Sequence, residues 1–133
     1  LGTEIHHRFA AKDPRGILWW CDDIPTLELL DAEIAAQTVR MISTIRDGAP
    51  TSLRAAVKQE GAAGAMSDAV GLYDECAAQA LAILESDTSL ASMVGCLYGD
   101  VAATAMGFTP LGLGERVGFA HAVALARSGA LRG

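Results

Sequence analysis

The stretch Leu90–Met106, LASMVGCLYGDVAATAM, is almost uncharged and decides the fold of this 133-residue chain. It contains one charged residue, Asp100, and two glycines four positions apart, Gly95 and Gly99. A surface helix normally carries a broad polar face, whereas this segment is apolar or small on nearly every side. We therefore predict that 90–106 forms a central helix that neighbouring helices enclose.

The two faces of this predicted helix indicate two kinds of neighbour. One face carries larger apolar side chains at three- and four-residue steps: Leu90, Val94, Leu97, Val101 and Ala105. The other is a strip of small residues around Gly95 and Gly99, which lets a second backbone approach closely. That backbone belongs to the same chain or to a second copy, so we treat Gly95 and Gly99 as candidate interface residues.

The composition favours helices over strands. The chain contains 25 alanines and is 51% apolar but only 5% aromatic. Strands prefer β-branched and aromatic residues, whereas alanine has the highest helix propensity. The length is typical of one domain. We predict an all-α, single-domain bundle of about five helices over 1–133, with an irregular N-terminal segment at 1–25 packed on the bundle.

The clearest amphipathic pattern precedes the central segment, between residues 26 and 46. Its large aliphatic residues recur at three- and four-residue steps: Leu27, Leu30, Ile34, Met41 or Ile42, and Ile45. Asp22 or Asp23 is predicted to cap the start of this helix, and Asp47-Gly48 to end it. A stripe of this kind normally packs against the core.

Periodicity and cap signals predict two helices between this one and the central segment. The first begins near Pro50, buries Leu53, Ala56 and Val57, and ends at Gly61. The second begins at Ser67 and continues to about residue 86. Its apolar stripe consists of Val70, Tyr73, Ala77, Ala80 or Leu81, and Leu84.

A final helix is predicted over 115–127. It follows the segment 107–114, which holds three glycines and a proline and is therefore read as a loop.

The charge distribution bears on the partners. The net charge is −6, and no basic residue lies between Lys58 and Arg116 although eight carboxylates fall there. Phosphate contacts require clustered lysines and arginines, so this pattern argues against a nucleic-acid partner. It predicts an acidic protein with one acidic face. Three interpretations of this face are open: it keeps the protein soluble, it binds a cation, or it binds a basic partner.

Cysteine usage and hydropathy indicate a cytoplasmic protein. Cys21, Cys76 and Cys96 are odd in number and lack CxxC spacing, which is typical of reduced thiols. The opening residues form no apolar signal segment. The stretch 90–106 is short for a bilayer span and carries Asp100 near its middle, so we predict no membrane segment.

The richest polar cluster in the sequence lies near the N-terminus. It consists of His6, His7, Cys21, Asp22 and Asp23. All three residue types can bind a divalent metal, but their spacing matches no zinc pattern, and the aspartates already serve as predicted helix caps. We therefore expect no metal and no cofactor, and keep these five residues as weak candidates.

Asp100 and His121 are the two candidates for catalytic chemistry. Both lie within apolar helical segments, where a titratable group is either satisfied by hydrogen bonds or used for acid–base work. The aromatic residues that could line a binding pocket near them are Trp19, Trp20, Tyr73, Tyr98 and Phe119.

The sequence contains no specific catalytic constellation and identifies no family. We therefore predict a non-catalytic helical interaction or regulatory module that forms a homodimer or joins a larger complex through its apolar helices. The alternative is a small enzyme or small-molecule-binding domain. Such a domain would use the aromatic pocket with Asp100 or His121, with or without a divalent metal.

Overall fold

A computed structural model describes residues 26–131. Within that range all regular structure is helical, which confirms the all-α prediction. The predicted irregular segment at 1–25 lies outside the described residues. The six helices are α1 (Leu27–Asp47), α2 (Leu53–Met66), α3 (Glu75–Leu84), α4 (Leu90–Tyr98), α5 (Asp100–Ala105) and α6 (Val117–Ser128).

The core forms where α4, α2 and α6 meet. The prediction of an enclosed central helix is confirmed for α4, because residues 92–98 are all buried. The most extensive helix pair is α2 with α6, and α1 packs mainly against α2. None of the helices between residues 26 and 131 combines the length and the hydropathy that crossing a bilayer requires.

The predicted single helix over 90–106 is wrong, because the chain breaks at Gly99 into α4 and α5. Gly99 has φ +89°, a backbone conformation that favours glycine. A Cβ at this position would also collide with the carbonyl group of Gly114. The break therefore lets the segment 107–116 fold back against the end of α4.

The close neighbours of both glycines in the small-residue strip belong to this chain: a side chain at Gly95 and a backbone at Gly99. A Cβ on Gly95 would lie 2.9 Å from Cδ1 of Leu111, and Gly99 faces Gly114. The Arg116 amide also donates to the Tyr98 carbonyl over 3.0 Å. Of the two neighbours that the sequence allowed at this strip, the structure shows the intramolecular one.

The predicted end of the second helix at Gly61 is wrong, because α2 continues to Met66. Gly61 instead marks a close helix contact, since a Cβ there would lie 2.5 Å from the carbonyl oxygen of Ala122. The third helix starts only at Glu75, where the Asp74 carboxylate accepts a hydrogen bond from the Ala77 amide over 2.8 Å.

Residues 69–74 are consequently not helical. The apolar stripe predicted for the third helix is therefore wrong in its first part, at Val70 and Tyr73. The Leu72 amide donates to the Ala120 carbonyl over 3.0 Å, which ties this segment to α6. Val70 and Tyr73 are exposed, whereas Ala77 is buried.

Helix α1 occurs where predicted, but its large apolar side chains point outward. Leu27 is 80% exposed and Ile45 is 77% exposed, and Leu30, Ile34 and Ile42 are exposed as well. The fully buried positions of α1 are Ala36 and Arg40, on the opposite side. The N-cap is Thr26, whose hydroxyl accepts from the Leu29 amide over 3.1 Å, rather than Asp22 or Asp23.

Replacing Gly118 by alanine should strongly destabilise the fold. A Cβ at Gly118 would overlap the backbone carbonyl of Cys96, so α6 would have to move away from α4. We expect a loss of about 3 kcal/mol or more in the free energy of unfolding, measured by urea denaturation followed by circular dichroism.

Gly112→Ala provides the control for this substitution. Gly112 has φ +83° but nothing within 4 Å of a Cβ, so only backbone strain of about 1 kcal/mol is expected. If Gly118→Ala unfolds at the same urea concentration as the wild-type chain, the close contact between α4 and α6 is absent.

Candidate functional site

A cleft of about 1110 Å³ lies between the first half of α1, residues 66–74 and the beginning of α6. Its walls are largely apolar, and they bring together residues far apart in the sequence. These wall residues are Leu29, Ala32, Ala36, Met66, Val70, Leu72, Val117 and Phe119.

The cleft carries an excess of negative charge. Six carboxylates and two guanidinium groups line it, so its surroundings repel anions and attract cations. Of the eight carboxylates on which the predicted acidic face is based, Asp68, Asp74 and Glu115 line the cleft, and the other lining carboxylates come from α1. The charged lining residues are Glu28, Asp31, Glu33, Asp68, Asp74, Glu115, Arg40 and Arg116.

A buried ionic network lies behind the cleft and joins three helices. Glu60 on α2 has no solvent-exposed surface. One of its carboxylate oxygens accepts from Nε of Arg40 on α1, and the other accepts from the hydroxyl of Tyr98 on α4, each over 2.6 Å. Arg40 and Tyr98 also line the cleft, so the network connects the cleft to the core.

Arg40 is held in its charged form despite being only 5% exposed. Burial alone would lower the pKa of Arg40, but attraction by Glu60 and Glu33 and the hydrogen bond to Glu60 outweigh burial and raise it. Its Nη1 lies 3.8 Å from a carboxylate oxygen of Glu33. Within residues 26–131 this buried Nη1 has no hydrogen-bond partner.

The sequence interpretation missed this network, although the spacing contained a signal. Leu53, Val57 and Glu60 lie at helical steps, so Glu60 shares the apolar face of α2. With the helix predicted to end at Gly61, Glu60 would be a terminal residue, and a carboxylate at a helix end is normally solvated. A carboxylate on an apolar helical face requires a buried partner, which α1 supplies four residues after Ala36.

Asp100 lies outside the cleft and organises the neighbouring loop. One carboxylate oxygen accepts hydrogen bonds from the amides of Leu111, Gly112 and Leu113 over 3.0 to 3.1 Å. The Asp100 amide donates in return to the Leu113 carbonyl over 3.0 Å. The side chain thus holds the segment after α5 against the start of that helix.

His121 is buried on α6 and contacts the beginning of α3. Its Nδ1 accepts a hydrogen bond from the Asp74 amide over 3.0 Å, and its ring lies 4.8 Å from that of Tyr73. Burial lowers the pKa of His121, although the negative charges of Asp74 and Glu75 partly oppose the shift. Neither His121 nor Asp100 is among the residues that line the cleft.

The structure separates the aromatic residues that were grouped in one predicted pocket. Tyr98 and Phe119 line the cleft, with the Arg116 guanidinium 5.5 Å from the centre of the Phe119 ring. Tyr73 is exposed beside His121, and its hydroxyl donates to Glu75 over 3.0 Å. Trp19 and Trp20 lie outside the described residues.

No metal-binding group of three or more His, Cys, Asp or Glu side chains occurs between residues 26 and 131. The weak candidates His6, His7, Cys21, Asp22 and Asp23 all lie outside this range. Cys76 and Cys96 are free thiols. Burial and the charge of Asp87 raise the pKa of Cys96 to about 11, so this thiol stays protonated and unreactive at neutral pH.

Comparison with known proteins provides no relative. No protein-family model, no curated protein sequence and no solved structure matches this chain significantly. The functional interpretation therefore depends on the surfaces and contacts of the chain itself.

Removing one charge of the buried ion pair should lower the free energy of unfolding more than removing both charges. Glu60→Gln leaves the Arg40 guanidinium without its closest counter-charge, and we expect a loss of about 3–5 kcal/mol in the free energy of unfolding. The double variant Arg40→Met, Glu60→Leu buries no unpaired charge and should lose less than Glu60→Gln. Urea denaturation of both variants measures the difference.

Arg54→Met is the matched control, since Arg54 pairs with Glu85 on the exposed surface. Its unfolding midpoint should stay close to that of the wild-type chain. A Glu60→Gln midpoint that also stays unchanged would show that Glu60 is solvated rather than buried.

The free energy of unfolding should fall when His121 is protonated. The folded chain favours neutral His121, because Nδ1 accepts a hydrogen bond and the pKa is lowered, whereas an unfolded histidine titrates near pH 6.5. The stabilisation is therefore present above about pH 6.5 and is lost as the pH falls through the folded-state pKa.

His121→Asn keeps an acceptor near Nδ1 but does not titrate in this range. Urea denaturation at a series of pH values should show a shallower pH dependence for this variant below pH 6.5. Parallel profiles for the two proteins would show that His121 does not contribute to the pH dependence.

Proposed function

We propose that this chain is a non-catalytic helical interaction module that forms a homodimer through the outer face of α1. The observation that carries the proposal is the exposure of five large aliphatic side chains on one face of a single helix. We call this face the α1 stripe; it consists of Leu27, Leu30, Ile34, Ile42 and Ile45. An exposed apolar surface of this extent is typical of an interaction site.

A second copy of the chain is the partner that the α1 stripe fits most directly. The stripe runs along a helix of 21 residues, which is about 31 Å long. Its residues follow one another at three- and four-residue steps, except that Thr38 interrupts them between Ile34 and Ile42. Two helices with such a stripe pack by placing the side chains of each between those of the other. An interface around a two-fold axis uses the same surface from both copies and needs no second kind of site.

Charge favours an antiparallel arrangement of the two helices. Glu28 and Asp31 flank the beginning of the α1 stripe, whereas Arg46 near its end is paired with Asp47. Antiparallel packing keeps the acidic beginnings of the two helices apart, whereas parallel packing would place the carboxylates of both copies together.

The contacts of the catalytic candidates support a non-catalytic role. The Asp100 carboxylate accepts three backbone hydrogen bonds, and His121 accepts one from Asp74. Both side chains thus have structural functions. The free thiols Cys76 and Cys96 support the cytoplasm as the location in this proposal.

Substituting lysine for Ile34 should abolish the homodimer. A charge in the middle of the α1 stripe would be buried without a partner at the interface, which destabilises association without affecting the core. We expect twice the monomer mass for the wild-type chain and the monomer mass for Ile34→Lys, measured by size-exclusion chromatography with light scattering.

Ile83→Lys is the matched control, because Ile83 is an exposed isoleucine on α3 outside the stripe. This variant should keep the dimer mass. A wild-type chain that stays monomeric up to millimolar concentration, or a dimer that Ile34→Lys leaves intact, would rule out the proposed interface.

A further inference from the structure

We infer that the cleft binds a basic, amphipathic peptide segment of a partner protein. This inference goes beyond the homodimer, because the cleft and the α1 stripe are centred on different faces of α1. The cleft contacts α1 through the face that includes Ala32, Ala36 and Arg40. The centre of the stripe lies about half a helical turn away from these three residues, and Glu28 and Asp31 border both surfaces.

The cleft is open, and its apolar walls extend beyond it, which fits an amphipathic peptide. Its volume of about 1110 Å³ exceeds the usual range of about 300–1,000 Å³ for small-molecule pockets. Exposed apolar side chains continue from its walls, with Met66, Val70 and Leu72 each at least two-thirds exposed. An amphipathic segment placed between α1 and residues 66–74 would cover these side chains with its own apolar face.

The charges around the cleft specify a basic ligand. Its carboxylates come from three parts of the chain: α1, residues 66–74 and the loop before α6. Lysine or arginine side chains on the polar face of a bound segment would therefore meet carboxylates on every side. An acidic segment of the same hydrophobicity would be repelled.

Arg40 supplies an independent observation that points to a peptide. Its guanidinium is more than nine-tenths buried and lines the cleft, while its Nη1 lacks a hydrogen-bond acceptor within residues 26–131. A buried donor without an acceptor is unfavourable. Nη1 has almost no accessible surface, so a carbonyl oxygen of a bound peptide would accept this hydrogen bond after a movement of the Arg40 side chain toward the cleft. A carbonyl oxygen would add no negative charge beside Glu33 and Glu60.

The test uses the full chain and two synthetic helical peptides of about 18 residues, one of leucine and lysine and one of leucine and glutamate. We expect the lysine peptide to bind with a dissociation constant that rises with salt, and the glutamate peptide to bind at least about tenfold more weakly, measured by fluorescence anisotropy. Backbone amide shifts in NMR spectra should change around the cleft.

Variants on the cleft rim locate the binding. Asp68→Asn combined with Glu115→Lys should weaken binding of the lysine peptide about tenfold, whereas Glu85→Lys, an exposed site outside the lining, should not. Asparagine tolerates the left-handed backbone at Asp68, where φ is +57°, so the fold should be retained.

Three outcomes would overturn the inference. The two peptides would bind equally, the rim double variant would bind the lysine peptide as tightly as the wild-type chain, or neither peptide would bind at millimolar concentration. The last outcome is expected if another part of the chain fills the cleft. Peptide binding to Ile34→Lys separates this test from that of the homodimer. If the peptide dissociates the wild-type dimer and fails to bind the monomeric variant, the cleft belongs to the dimer interface.

Discussion

The buried ion pair between Arg40 and Glu60 is the interaction on which the orientation of α1 depends. A guanidinium and a carboxylate lose their hydration together when both are buried, so each is tolerated only while the other is present. The 2.6 Å contact between them, with the Tyr98 hydroxyl on the remaining oxygen, fixes one face of α1 against α2 and α4. Rotating α1 to bury its aliphatic residues would leave Glu60 without that counter-charge.

This constraint explains how one helix presents two different surfaces. Because Arg40 and Ala36 face inward, the α1 stripe is exposed. The first turns of the same helix border the acidic cleft. The core itself does not need the large side chains of α1, since close contacts between α2, α4 and α6 at Gly61 and Gly118 form it.

The sequence predicted the elements of the fold better than their arrangement. Periodicity located α1, and the absence of charge located α4 as the central helix. The sequence pattern could not distinguish the roles of the glycines. Gly61 allows close packing inside a helix, whereas Gly99 ends one, and both are glycines within helical patterns. The pattern also predicted α1 to face inward, since an aliphatic stripe outweighs one arginine in any pattern. The buried network could not be predicted, because no sequence pattern shows that Arg40 and Glu60, on two different helices, are in contact.

The most direct test of this account is the NMR signal of the Arg40 Nε–H in the full-length chain. If Arg40 is buried and donates to Glu60, its Nε–H should exchange slowly with solvent, show nuclear Overhauser contacts to α2 and α4, and change in Glu60→Gln. If α1 instead packs its aliphatic stripe inward, Arg40 faces water. Its Nε–H would then exchange as fast as that of the exposed Arg54, which would contradict the account.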